Sequence, residues 1–161
     1  IGAVLVAFAL WQPAKQPELL IAPEGELAGL MTPAGRALSK TGAGFVATNW
    51  LGADGDTAPP DEAAARPGFE GPKGARQARL AGRRVVHLTG KGAAERLAEH
   101  CRDGAIVILA AVAPSGGSAE CDLWDLARLR QTGSVGIRAD GRVQTAAGQG
   151  GARLWSGAGR Q

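Results

Sequence analysis

The sequence contains no tyrosine, one methionine, two histidines, two cysteines and three phenylalanines among 161 residues. Its tryptophans are Trp11, Trp50, Trp124 and Trp155. A core must then be assembled from small aliphatic side chains with few large anchors, which points to modest stability and long loops. The scarcity of His and Cys also bears on chemistry. His-x-His-x-Asp-His, His-Glu-x-x-His and Cys-x-x-Cys are all absent, and a zinc or two-metal hydrolase centre draws its ligands from such groups. There is no Gly-x-Ser-x-Gly elbow, and Ser115-Gly116-Gly117-Ser118 has no His and acid partner in order. Thr89-Gly90-Lys91-Gly92 has the glycines and lysine of half a phosphate loop without the full spacing, which leaves room for one phosphate contact but not for a nucleotide site. No catalytic residue, metal site or cofactor is assigned, and the expectation is a protein that is not an enzyme. A full membrane span is missing too. Ile1 to Trp11 is uncharged and apolar, but a bilayer takes about 20 such residues. The stretch 1–12 reads as the end of a transmembrane helix, with Trp11 at the interface and Pro13 closing it; a buried N-terminal strand or helix is the alternative. The lack of a basic leader argues against a complete signal peptide.

Glycine and proline are plentiful, at 25 and nine residues, so turns are many. The net charge of +3 is unevenly spread: residues 66–102 carry nine basic and three acidic side chains. A local excess of this kind attracts a polyanion, and Lys73, Arg76, Arg79, Arg83, Arg84 and Lys91 are the candidate contacts. A solvated face around two turns is the plainer reading of the same residues.

The element pattern predicts a mixed α/β (α+β) fold. Glu18 to Ile21, Glu26 to Met31 and Arg36 to Ser39 are short β-type runs separated by Pro-x-Gly turns, hence a three-stranded meander. Thr41 to Leu51 suits a short amphipathic helix. Asp54-Gly55-Asp56 lacks the further ligands of a calcium loop and is expected to be a surface turn. Residues 53–74 form a long loop with one helical turn at 61–65. Ala75 to Leu80 pairs with Arg83 to Thr89, and a β-α-β-α-β core follows. Its parts are a helix over 93–101, a strand over Ala105 to Val112 with no polar side chain, and a second helix capped by Asp122 and running through Arg130 to Gly133. Asp140-Gly141 then turns a terminal hairpin between 134–138 and 142–145. One domain, 13–147, is expected, with a glycine-rich tail at 148–161 in which Leu154-Trp155 can still dock on the body.

His87, in a strand beside valines, reads as a satisfied structural imidazole, and His100 as a helix-end residue favoured by the carbonyl dipole. Cys101 and Cys121 lie on either side of the apolar strand. A disulfide between them contributes about 3 kcal/mol by loop closure, and two free buried thiols are the alternative.

The order of these parts resembles the C-terminal soluble region of the ComEC family of bacterial DNA-uptake channel proteins. The likeness rests on Pro-Glu-Leu-Leu-Ile-Ala-Pro-Glu-Gly-Glu-Leu (17–27), Gly-Leu-Met-Thr-Pro-Ala-Gly-Arg-Ala-Leu-Ser (29–39) and Phe45 with Trp50-Leu51. It continues through the helix-to-strand step from Cys101 to Val112, Cys-Asp-Leu-Trp-Asp-Leu (121–126) and Thr-Gly-Ser-Val-Gly-Ile (132–137). Each motif is short; their order over nearly the whole chain carries the resemblance. It implies the end of a polytopic inner-membrane protein of natural transformation, facing the periplasm, anchored through residues 1–11. Its partners would be the rest of that channel and single-stranded DNA. Many members of the family carry a metallo-β-lactamase-like domain after the membrane helices; the metal-binding histidine motif has no matching positions here. The resemblance thus implies a degenerate, non-catalytic version. A small exported hydrolase with unfamiliar ligands around His87 and His100, and a purely structural interaction domain, are the competing expectations.

Overall fold

The computed structural model describes residues 16–114 and 120–150. Two sheets stacked face to face organise these residues. β1 (Leu19–Ile21), β2 (Ala28–Thr32) and β3 (Gly35–Leu38) form the expected antiparallel meander. Gly25, at φ +68°, turns the chain between β1 and β2, a conformation that suits glycine because it has no Cβ. The Thr32 hydroxyl donates to the Gly35 carbonyl at 2.7 Å and braces the next turn.

β8 (Val135–Ile137) and β9 (Val143–Thr145) are the expected terminal hairpin, but they do not extend the β-α-β-α-β core. β8 pairs antiparallel with β1, giving the order β3-β2-β1-β8-β9. The reason is one of phase. Leu19 lies opposite Ile137 and Ile21 opposite Val135, so both strands turn their apolar residues to the same face.

The second sheet has the order β4-β5-β6-β7. β4 (Ala75–Leu80) and β5 (Arg83–Leu88) are an antiparallel hairpin turned at Ala81 (φ +47°) and Gly82 (φ +84°), while β5, β6 (Ile106–Leu109) and β7 (Asp122–Asp125) run parallel. β7 corrects the predicted helix start at Asp122. Trp124 pairs with Ile108 and is 1% exposed between the sheets, and Leu123 packs on the opposite face. That is the two-residue period of a strand. The helix, α4 (Leu126–Thr132), begins afterwards and is capped by Asp125, whose carboxylate accepts from the Arg128 N–H at 2.9 Å. Gly133, at φ +69°, ends it as expected.

α1 (Gly44–Ala53) and α2 (Pro60–Ala65) cover the outer face of the first sheet, where Ala47, Leu51 and Ala63 meet Ala22, Leu27 and Leu38. On the outer face of the second sheet, Ala93, Leu97 and Cys101 meet Val86, Leu88, Val107 and Leu109. The predicted helix over 93–101 is shorter than expected: only α3 (Leu97–His100) is α-helical. Before it, Ala93 donates to Gly90 and Leu97 to Ala94 at 3.2 Å each, the tighter i→i−3 pattern. Between the sheets lie Leu19, Ile21, Leu30, Val85, Ile106, Ile108, Trp124, Val135 and Ile137. All four residues of β6 are buried, in keeping with a strand covered on both faces. The fold is therefore mixed α/β, in four layers of helix, sheet, sheet and helix.

α5 (Ala146–Gly150) carries regular structure beyond the expected start of the tail at 148. Among the described residues no helix is long and apolar enough to cross a membrane. The apolar stretch 1–12, the Ser115–Ser118 loop and Leu154-Trp155 lie outside the described residues.

Candidate nucleic-acid interface

The β4-β5 hairpin carries most of the candidate cations, and its register decides where they go. Arg79 lies directly opposite Arg84, a like-charged pair that repels unless each guanidinium finds an acceptor. Both do. Arg84 Nη2 donates to the His100 carbonyl at 3.0 Å, and Arg79 Nη1 to the Gly82 carbonyl at 3.3 Å. Arg83 reaches the Gly104 carbonyl through Nη2 at 2.9 Å and Nε at 3.3 Å. An arginine has five N–H donors, so each keeps donors in hand. The carbonyl of Gly104 is presented by a turn in which Asp103 (φ +56°) and Gly104 (φ +64°) are both left-handed. Exposed Arg102 sits in the same loop, between the two acceptors. Arg79 and Arg84 also line a cleft of about 450 Å³ with Leu30, Glu70 and Gln77.

The other candidates lie elsewhere. Arg76 is spent internally, on the Gly71 carbonyl at 2.8 Å and the Phe69 carbonyl at 2.7 Å, and fastens the loop before β4. Lys73 and Lys91 are exposed at the far end of the hairpin, where Gly74 accepts from the Thr89 N–H. β5 has six residues, which at about 3.3 Å each separates the two ends by about 20 Å. Arg96 knits the far end together through the Gly74 and Thr89 carbonyls at 3.2 and 2.9 Å. The basic segment thus forms two patches, and the arginine patch at the hairpin turn is the denser. Arg102 was not singled out in the sequence, because only the fold brings its loop beside Arg83 and Arg84.

A disulfide joins Cys101 to Cys121 with the Cα atoms 5.0 Å apart. It holds the loop of His100 and Gly104 against the start of β7, where the Gly104 N–H also donates to the Glu120 carbonyl at 2.9 Å. The acceptors that position Arg83 and Arg84 are therefore clamped from behind.

Neither histidine faces this patch as a ligand. His87 is 1% exposed between the sheets, with Nε2 at 2.8 Å from the Gly25 carbonyl. Burial pushes its pKa down to about 4, against the opposing effect of that hydrogen bond. The ring is neutral near pH 7 and Nε2–H is the donor. His100 is also buried, and its Nδ1 has no hydrogen-bond partner among the described residues. No group of three or more His, Cys, Asp or Glu that could hold a metal ion occurs among the described residues.

No family model, curated protein or solved structure matches the chain. Charge separates the surfaces. The carboxyl ends of parallel strands are the usual ligand site in α/β sheets. Here the cleft at the end of β6, about 370 Å³, is lined by Glu24 and Glu26 with a single cation, Arg130. An anionic polymer is disfavoured there and favoured at the hairpin turn.

The expected turn at Asp54-Gly55-Asp56 is present with Gly55 exposed, and its two carboxylates join a second polar cluster. Arg36 is fully buried on β3 and bonds both oxygens of Asp54, one at 2.9 Å through Nη2. Its remaining donors reach the Pro17, Glu18 and Gly29 carbonyls at 3.2 to 3.3 Å. All five donors are satisfied. Asp56 pairs with Arg66, whose Nη1 also donates to the Arg36 carbonyl at 3.1 Å. The Arg66 guanidinium and the Ala58 N–H hold the Asp56 carboxyl below the ordinary carboxylate value. Gly29 makes room for this cluster, since a Cβ there would come within 2.9 Å of Arg36 Cδ and 3.1 Å of Trp50. These carboxylates are counterions of buried Arg36 and half-buried Arg66, and their role is to hold α1 and α2 on the sheet.

Proposed function

We propose that the chain is a non-catalytic, periplasm-facing domain of an inner-membrane channel for DNA uptake in natural transformation, and that it touches single-stranded DNA through backbone phosphates. The observation that carries the reading is the arginine patch at the β4-β5 turn: Arg79, Arg83 and Arg84 keep unspent guanidinium donors, and Arg79 and Arg84 line the cleft. Guanidinium groups with free donors suit phosphate oxygens. The order of sequence motifs supports the channel assignment, and the disulfide is in keeping with an oxidising compartment. We read the mixed α/β fold as a degenerate metallo-β-lactamase-like one; its His87 is committed to the Gly25 carbonyl.

The patch has no exposed aromatic side chain on β4 or β5, so base stacking adds little and binding is indifferent to sequence. Anisotropy of a labelled single-stranded oligonucleotide tests this. With about three phosphates neutralised, the single-strand slope of log K against log salt is about −2, so raising salt from 50 to 200 mM weakens binding about 20-fold. Replacing Arg83 and Arg84 together by Ala flattens the slope. Affinity that does not change with salt removes the DNA role.

One observation favours a second reading, a purely structural interaction domain: Phe45 on α1 is 82% exposed. That domain would leave oligonucleotide free at every salt concentration and associate through the face around Phe45.

A further inference from the structure

The outer face of the first sheet is covered only in part. α1 and α2 lie over the meander, and beyond Trp50 the face of β1, β8 and β9 opens into a groove of about 200 Å³. At its floor β8 turns a glycine outward, and Pro17 packs on it. A Cβ at Gly136 would come within 2.6 Å of Pro17, so Pro17 lies on bare backbone, with Leu20 and Gln144 beside Gly136 in register. Trp50 forms one wall and Gln149 of α5 the other.

α5 is itself weakly supported. It is five residues long, Ala-Ala-Gly-Gln-Gly, and none is buried. A helix this short is marginal alone, and each glycine costs about 1 kcal/mol relative to alanine. The Ala146 N–H bonds the Ser134 carbonyl at 2.9 Å and the Gly148 N–H the Thr145 hydroxyl at 3.0 Å. These bonds fix its start and leave its outer side bare.

We propose that the groove is the seat of the chain's own C-terminal segment, residues 151–161, with Leu154 and Trp155 laid across α5 and into the space beside Trp50. Leu154 and Trp155 are the only large apolar side chains of that segment. Trp155 follows Gly150 by five positions, a reach of up to about 17 Å, and α5 is already the wall of the groove. The chemistry matches. An indole has an apolar body and one N–H donor; Pro17, Leu20 and Trp50 supply apolar surface, and the side-chain amides of Gln144 and Gln149 supply acceptors. Among the described residues no charged side chain lines the groove, so it does not select for a phosphate or an ionic peptide. No residue of α5 is buried, and covering its outer side accounts for the persistence of a glycine-bearing single turn.

The test is made on the whole chain by NMR. The expected result is a set of nuclear Overhauser contacts from the Trp155 ring to Pro17 and to the Leu20 methyls, independent of protein concentration. With Trp155→Ala, amide exchange in α5 quickens several-fold while β2 and β6 are unchanged, which separates local release from unfolding. Three results overturn the proposal. In the first, acrylamide quenches the Trp155 emission, isolated as the difference between wild type and Trp155→Phe, as freely as it quenches an exposed indole. In the second, the groove contacts come from Trp11, making the N-terminal segment the occupant. In the third, they grow with concentration, making a second copy the occupant.

Discussion

His87 makes the fold sensitive to acid, and the size of the effect follows from its burial. The imidazole sits between the two sheets, 1% exposed, and donates to the Gly25 carbonyl at 2.8 Å. Desolvation lowers its pKa from 6.5 to about 4; Lys40 acts in the same direction and the Gly25 hydrogen bond in the opposite one. In the unfolded chain the ring takes up a proton as pH falls through about 6.5. The folded chain refuses it until about pH 4. The unfolded state therefore binds more protons across this window, and stability falls as pH falls. Integrating between pH 7 and pH 5 gives a loss of about 2 kcal/mol, and below pH 4 the loss levels off at about 3 kcal/mol. Against a typical total of about 5–15 kcal/mol, this is a large share. Asp56 adds its own term at lower pH. Its lowered carboxyl stabilises the fold above the ordinary value of 3.8, and that contribution fades as pH falls through the folded pKa. Urea unfolding at pH 7 and pH 5, run on wild type and on His87→Gln, separates the two. The glutamine amide can still donate to Gly25 but does not titrate. Wild type should lose about 2 kcal/mol between the two pH values and the variant very little. Equal losses in both proteins, or no loss in wild type, would refute the assignment.

Two other perturbations probe the fold. Asp54→Ala strands the Arg36 guanidinium in a site with no exposure, so the midpoint of urea unfolding should drop by the equivalent of about 3–5 kcal/mol, and Arg36→Met with Asp54→Leu should recover much of it. Reduction of the Cys101–Cys121 disulfide, or Cys101→Ser with Cys121→Ser, should cost about 3 kcal/mol in chemical denaturation. It should also weaken oligonucleotide binding in the anisotropy assay, because the His100 and Gly104 carbonyls that hold Arg84 and Arg83 lose their clamp.

What was legible in the sequence is what neighbours along the chain decide. The meander, the β4-β5 hairpin and the terminal hairpin follow from alternation of apolar residues and from Gly and Pro turns, which act within a few residues. The apolar run of β6 announced a strand covered on both faces. The interpretation of Asp-Leu-Trp-Asp-Leu (122–126) as a helix start failed because a short run with two large apolar residues fits either period. Only the pairing of Trp124 with Ile108 resolves it. For the same reason Asp125, and not Asp122, is the cap.

The candidate site divides along the same line. Charge counting located the basic segment and named Arg79, Arg83 and Arg84. It could not separate them from Arg76, whose donors are consumed by Phe69 and Gly71, nor from Lys73 and Lys91 at the other end of the hairpin. It also missed Arg102, which a parallel crossover returns to the hairpin turn, and the buried Arg36, whose counterion lies 18 positions away. The sequence by itself determined the local elements, the sign of the charge and the absence of metal-ligand motifs, since those depend on adjacent residues. The tertiary structure alone decided that β8 pairs with β1, that Arg36 is buried with Asp54, and which arginines keep donors free. Each of those outcomes is set by contacts between segments distant in the chain, and composition and periodicity carry no record of them.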